Sequence, residues 1–173
     1  LNFYTKPNKL FEAKDFGGAF KKTNSHAIAL DGMYSEKYRP LSNVLTVNRK
    51  LFEPEVLESF AKVDDCCRIA TDCNYDITKV RYYHDKEYYE PHTDTAFHFL
   101  AFSYFYKEPK KFSGGELYFP MYDYNYSCEN NSMIIFPGWV QHGVTEVSID
   151  NSDYYEGYGR YCISSFFGCK SRT

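Results

Sequence analysis

ITKVRYYHDKEYYEPHTDTAFHFLAFSYFY, residues 77–106, is the stretch on which the fold turns. It is dense in β-branched and aromatic residues, which suit a pleated, half-buried surface. It divides into candidate strands 77–83, 87–94 and 96–106, with the polar turn His84-Asp85-Lys86 between the first two. The same style continues downstream, in candidate strands 115–119, 132–136, 140–147 and 159–167. Turn signals separate them: Pro109, Ser113-Gly114-Gly115, Pro120, Asn130-Asn131, Pro137-Gly138 and Gly157. A succession of short strands predicts a sandwich, jelly roll or barrel. The segment 148–158, acidic and tyrosine-rich, reads as a rim loop.

Upstream the style differs. NVLTV (43–47) reads as a short strand, and LFEPEVLESFAKVDDCCRIA (51–70) as a helix packed on a sheet. Pro54 suits a first helical turn, with Glu53 and Glu55 at the positive end of the dipole. Val56, Phe60, Val63 and Cys67 fall on one stripe at helical spacing. Residues 1–42 are polar, broken by Gly17, Gly18, Gly32 and Pro40, and read as loops with one or two short helices. No internal repeat or linker interrupts the 173 residues, so one domain is expected over 1–173: an irregular part (1–42), a strand plus helix (43–76) and a β core (77–168).

Composition narrows the function classes. Hydrophobic residues make up 43% and charged residues 25%, close to globular averages, which excludes wholesale disorder. The net charge is −3 and no basic run exceeds two residues, so nucleic acid is not an expected partner. No apolar run reaches the ~18 residues of a bilayer span, and no membrane partner is expected. Aromatics reach 20%, which fits a β-rich domain with a lined cavity; a nucleotide-biased genome accounts for it equally. The sequence opens on Leu1 without a signal-peptide pattern. Cysteines 66, 67, 73, 128, 162 and 169 show no CxxC and no zinc spacing, so free thiols in a reducing, cytoplasmic setting are expected.

Three places can carry chemistry. In His92-Thr93-Asp94, residues two apart on a strand share a face and can bind one metal ion. Alone the pair means little: five histidines, each with a 23-in-173 chance of an acid two residues on, give about 0.7 such pairs by accident. His142, on another candidate strand, adds a second imidazole. Two His and one carboxylate on one face form the facial triad of non-haem Fe(II) oxygenases, although a zinc site with three ligands plus water has the same donors. His26, His84 and His98 lack such a setting and read as surface or core residues. Arg160 begins a strand on which Cys162, Ser164 and Phe166 share its face. A buried arginine requires an anion, and with no obvious acid on a neighbouring strand a ligand carboxylate is attractive; an exposed strand start is the plain alternative.

In order along the chain stand HTD (92–94), GGEL (114–117), NSMIIFP (131–137), HGV (142–144) and GRYCI (159–163). With Tyr83 ahead of YYEPHTD, this order resembles the Fe(II)- and 2-oxoglutarate-dependent dioxygenases, most closely their prolyl 4-hydroxylase-like branch, over roughly 44–168. Each motif is soft; their order makes them specific together. The resemblance implies a mainly β fold, a double-stranded β-helix (jelly-roll) core with flanking helices. It implies Fe(II) on His92, Asp94 and His142, and Arg160 on the distal carboxylate of the cosubstrate 2-oxoglutarate. It further implies tyrosine hydroxyls in that pocket, best matched by Tyr83 and Tyr104, with Tyr82 and Tyr106 one alignment step away. O2 completes the set, with ascorbate as an optional addition.

Some features depart from the branch. His142 and Arg160 lie 18 residues apart, wider than usual there, which assigns the extra length to the rim loop. The collagen-type enzymes carry Lys where Arg160 stands, and Phe166 stands where nucleic-acid-repair relatives have a second arginine. The implied reaction is hydroxylation of a prolyl residue in a protein or peptide, with 2-oxoglutarate decarboxylated to succinate. A free amino acid or small metabolite is the rival substrate, and a non-catalytic jelly-roll module binding a metal or ligand the rival class. Trp139 and Tyr122, Tyr124 and Tyr126 are candidate peptide contacts; snorkelling edge residues are the plain reading. Phe136, Val140 and Val144 are candidate pocket walls or ordinary core.

Overall fold

A computed structural model describes residues 6–7 and 23–170 of the chain. The expectation of loops over 1–42 therefore falls partly outside the described residues. In chain order the strands are β1 (Lys6–Pro7), β2 (Thr23–Asn24), β3 (His26–Ala29), β4 (Tyr75–Tyr83), β5 (Tyr88–His92), β6 (Phe99–Phe105) and β7 (Phe112–Ser113). They continue with β8 (Leu117–Phe119), β9 (Tyr124–Tyr126), β10 (Ser132–Pro137), β11 (His142–Val144), β12 (Ser148–Ile149) and β13 (Arg160–Gly168). Between β3 and β4 lie α1 (Leu30–Met33), α2 (Asn43–Arg49) and α3 (Pro54–Ala61), joined by short 3-10 turns.

One sheet has the order β1-β3-β4-β13-β6-β10 and a second β2-β5-β11-β8-β9; β7 and β12 form a separate pair. From β4 onward the chain passes repeatedly from one main sheet to the other, which is the double-stranded β-helix. Leu100, Phe102, Leu117, Phe119, Phe136 and Val144 belong to the larger buried cluster. The α-helical segment covers the other face of the six-stranded sheet. Phe60 meets Phe99 edge-on with ring centroids 4.7 Å apart, and Phe52 lies 4.9 Å from Phe167. β6 is thus buried on both faces, which is why FHFLAFSYF reads as a nearly continuous apolar run.

The central strands keep their expected places, with shifted ends: β4 starts at Tyr75 and β11 shrinks to three residues. The rim loop contains β12 and one 3-10 turn at Asn151–Asp153. NVLTV is not a strand. It opens α2, whose first turn is capped by the Ser42 hydroxyl accepting from the Leu45 amide at 3.3 Å. Docking overrides the β-branched composition. Leu45 is 1% exposed, and the Asn48 amide donates to the Thr78 and Ser165 hydroxyls at 3.0 and 2.5 Å, tying α2 to β4 and β13. The predicted helix from Pro54 stops at Ala61. Phe60 and Cys67 of its stripe face the sheet; Val56, in the first turn of the helix, is exposed, and so is Val63, which follows the helix end before the chain re-forms as a 3-10 turn, Asp65–Asp72.

Helix and strand make opposite predictions for positions 45 and 47, which share a face only in a strand. Leu45→Ala is expected to cost about 2–4 kcal/mol in urea unfolding. Val47→Ala, at an exposed helical position, is expected to change stability by about 0.5 kcal/mol or less. Equal losses would contradict the helix.

Candidate metal centre and anion pocket

β5 and β11 pair so that His92 and His142 stand opposite each other, with ring centroids 4.4 Å apart. Asp94 reaches them from a turn rather than from the strand. β5 ends at His92 because the chain folds back there: the Asp94 amide donates to the Gly138 carbonyl at 2.8 Å, and the Phe97 amide to the Asp94 carbonyl at 2.9 Å. Gly138 is required by close approach, since a Cβ there would lie 2.3 Å from the Phe97 oxygen and 2.7 Å from that of Asp94. The Pro137-Gly138 turn thus holds Asp94 beside both histidines.

Asp94 Oδ2 lies 3.5 Å from His142 Nε2 and 3.7 Å from His92 Nε2. Each Nδ1 lies 2.9 Å from a backbone carbonyl, that of Glu90 for His92 and of Val140 for His142. As hydrogen-bond donors these Nδ1 atoms fix the tautomer that turns the Nε2 lone pairs toward Asp94. His142 Nε2 is buried without a hydrogen-bond partner among the described residues. Burial pushes the Asp94 carboxyl up, but the His142 and His92 side chains, when protonated in the metal-free site, and the Arg81 charge hold it below its ordinary value. Tyr89 stacks on His92 at 3.8 Å, and Phe136 packs against His142 at 4.9 Å. Two neutral imidazoles and one carboxylate, all within 4.8 Å, fit a divalent metal with open positions.

A second feature lies at the start of β13. The register sets Arg160 opposite Tyr83, and Cys162 opposite Arg81 and Tyr104. Arg160 is 2% exposed. Its guanidinium sits over the rings of Tyr83 (4.9 Å) and Tyr104 (4.7 Å), its Nε has no hydrogen-bond partner among the described residues, and one NH2 points at the Cys128 sulfur at 3.7 Å. Burial opposes its charge; nearby thiols and phenols favour it only if ionised. Burial also pushes Tyr83, Tyr104 and Cys162 upward, so these three stay neutral near pH 7 and supply no counter-charge. The Tyr104 hydroxyl is likewise buried without a partner among the described residues. Orphaned donors from an arginine and a phenol suit a carboxylate.

Tyr83 and Tyr104 both pack against the Arg160 guanidinium. Tyr82 turns to the opposite face against Tyr161, and Tyr106 packs on Phe112. His26 pairs with Glu87 at 3.2 Å, and neither it, His84 nor His98 joins the triad. Val144 lines the cavity holding His92, Asp94, His142 and Arg160; Phe136 and Val140 lie in the core around it. Tyr122, Tyr124 and Trp139 are exposed, while Tyr126 packs inward. Lys79 and Arg81 also line the cavity. The signal was present: a period of two along 77–83 puts both on the face of Tyr83.

The chain matches the 2OG-Fe(II) oxygenase superfamily over residues 78–168, just over half its length. It belongs to that family. Fe(II), 2-oxoglutarate and O2 are accordingly its cofactor and cosubstrates. No curated protein sequence matches it. Solved structures share its fold at low identity. A 2OG-Fe(II) oxygenase family oxidoreductase from Burkholderia pseudomallei superposes with a TM-score of 0.57 at 12% identity, covering 99% of this chain and 78% of its own. A Pseudomonas putida prolyl-4-hydroxylase gives 0.55 at 13%, with 97% and 79% covered. The viral collagen prolyl hydroxylase of Paramecium bursaria Chlorella virus-1, a 2-oxoglutarate complex, gives 0.52 at 14%, with 84% and 78% covered. These likenesses show the shared jelly-roll fold. Among the described residues no helix is long and apolar enough to cross a membrane.

Gly115, in the GGEL motif, has φ +75°, and a Cβ there would meet Arg160 Cδ at 2.9 Å and Val147 Cγ2 at 3.0 Å. Gly115→Ala is expected to lose about 1–3 kcal/mol of stability in urea unfolding. An unchanged midpoint would contradict the packing of Arg160 against this backbone.

Proposed function

We propose that the chain is a hydroxylase acting on a prolyl residue of a protein or peptide, with metal bound by His92, Asp94 and His142 and 2-oxoglutarate anchored by Arg160. The carrying observation is a buried guanidinium with no carboxylate partner among the described residues, lining the cavity that also holds the three-donor cluster. One dicarboxylate would satisfy both: Arg160 and the Tyr104 hydroxyl would hold its distal carboxylate, and His92, Asp94 and His142 the metal that takes its 2-oxo acid end. The prolyl choice rests on the branch resembled and on a fold shared with prolyl hydroxylases. All six cysteines are free thiols, which fits the reducing, cytoplasmic setting expected from the sequence.

Held by His92, Asp94 and His142, Fe(II) would supply O2 activation, with one oxygen atom going into succinate as 2-oxoglutarate loses CO2 and the other into a substrate C–H bond. The chain's part is geometric. The carbonyls of Glu90 and Val140 hold the two imidazoles in the metal-binding tautomer. Arg160, wedged between two tyrosine rings, fixes one end of the cosubstrate and therefore the direction of the other. Phe97, Phe102, Val144 and Phe166 line the cavity with apolar surface and limit water.

Two variants separate these roles. His142→Ala is expected to abolish metal-dependent succinate formation, by about 100-fold or more, while the protein stays folded. Arg160→Met is expected to weaken 2-oxoglutarate binding about 100-fold, with metal affinity unchanged, as read by calorimetry on the Mn(II)-loaded protein. Undiminished succinate release in the first, or an unaltered 2-oxoglutarate affinity in the second, would remove the corresponding assignment.

A further inference from the structure

The strand beside β13 in the cavity wall, β4, carries two cations that the roles above leave unused. Lys79, Arg81 and Tyr83 share the inner face of β4, opposite Ser164, Cys162 and Arg160. Successive inward residues on a strand stand about 6.5–7 Å apart, so Lys79 lies about 13 Å along β4 from the Tyr83–Arg160 row. Arg81 is 8% exposed; it lies over the Tyr89 ring at 5.2 Å and donates to the Ser25 hydroxyl at 3.3 Å. Lys79 is half-buried, with Nζ 5.1 Å from the centre of the Phe166 ring. No carboxylate of the described residues pairs with either within 4.0 Å. Asp94 acts on both from across the cavity, on Arg81 after the nearer Tyr83, Tyr89 and Cys162 side chains, and it is not among the groups acting on Arg160. Along β4 the order is thus Tyr83 beside Arg160, then Arg81, then Lys79 at the end away from Arg160, in the cavity that also holds His92, Asp94 and His142.

A charge count shows what is missing. The formally charged side chains lining the cavity are Lys79, Arg81, Arg160 and Asp94, three positive and one negative, for a net +2. A divalent metal and the 2-oxoglutarate dianion cancel each other, so the loaded cavity keeps that +2. Arg160 is already assigned to the cosubstrate's distal carboxylate. Burial and the neighbouring Arg81 charge depress the Lys79 pKa, and an anion beside the pair would relieve both. We propose that the substrate carries a carboxylate that pairs with Lys79, backed by Arg81, on the metal's side away from Arg160. This rests on the oxygenase reading of the site. The carboxylate comes either from an acidic residue next to the proline or from the substrate's own terminus, as in a free amino acid.

The test compares acids with their isosteric amides on the Fe(II)- and 2-oxoglutarate-loaded protein. The pairs are acetyl-Pro-Glu-amide with acetyl-Pro-Gln-amide, and L-proline with L-prolinamide. Binding is read anaerobically, from the perturbation of the visible band of the Fe(II)–2-oxoglutarate chelate. In one pair the acid is expected to bind about tenfold or more tightly than its amide, and the responding pair identifies the source of the carboxylate. Lys79→Met should bring that ratio to within about twofold, Lys79→Arg should retain it, and both should leave 2-oxoglutarate affinity unchanged. A ratio near one in both pairs, no binding of any member, or a preference that survives Lys79→Met would overturn the proposal. A loss in 2-oxoglutarate affinity instead would assign the pair to the cosubstrate. If no band forms with 2-oxoglutarate alone, the site assignment itself fails, and this proposal with it.

Discussion

A guanidinium buried without an acid is the constraint around which this site is built. Removing such a charge from water costs several kcal/mol unless an anion meets it. Arg160 is 2% exposed, and among the described residues its neighbours are two phenols and two thiols rather than a carboxylate. The fold invests in keeping it there. Tyr83 and Tyr104 flank its plane from the strands on either side, and the Gly115 backbone approaches its aliphatic stem because no Cβ intervenes. A dicarboxylate cosubstrate is the complement we propose for this arrangement.

The metal end follows a different logic. There the donors are held from behind: each imidazole is fixed through Nδ1 to a carbonyl two residues earlier in its own chain, and Asp94 is held by a turn locked to Gly138. Sheet pairing brings the two histidines opposite each other, so the β5–β11 register sets the geometry of the cluster. Both ends then share one apolar-walled cavity because β4, β6 and β13 present alternate residues inward.

The site was more legible in the sequence than the helical layer. Period-two alternation on residues 160–166 correctly put Arg160, Cys162, Ser164 and Phe166 on one face, and motif order singled out the triad. The same-face argument reached Asp94 for the wrong local reason, since a turn, not a strand, positions it. NVLTV misled because its helix is fixed by contacts distant in sequence: Asn48 bonds to Thr78 and Ser165, which no local pattern encodes. Lys79 and Arg81 were visible on the face of Tyr83, but their meaning depends on which acids approach them, and that is a property of the fold.

Selectivity for the second carboxylate of 2-oxoglutarate tests the central claim most directly. Calorimetry of the Mn(II)-loaded wild-type protein would compare 2-oxoglutarate with 2-oxopentanoate, which has the same chain length and lacks the distal carboxylate. If that carboxylate compensates the buried guanidinium, 2-oxoglutarate binds about 100-fold more tightly. Equal affinity for the two acids would contradict the account.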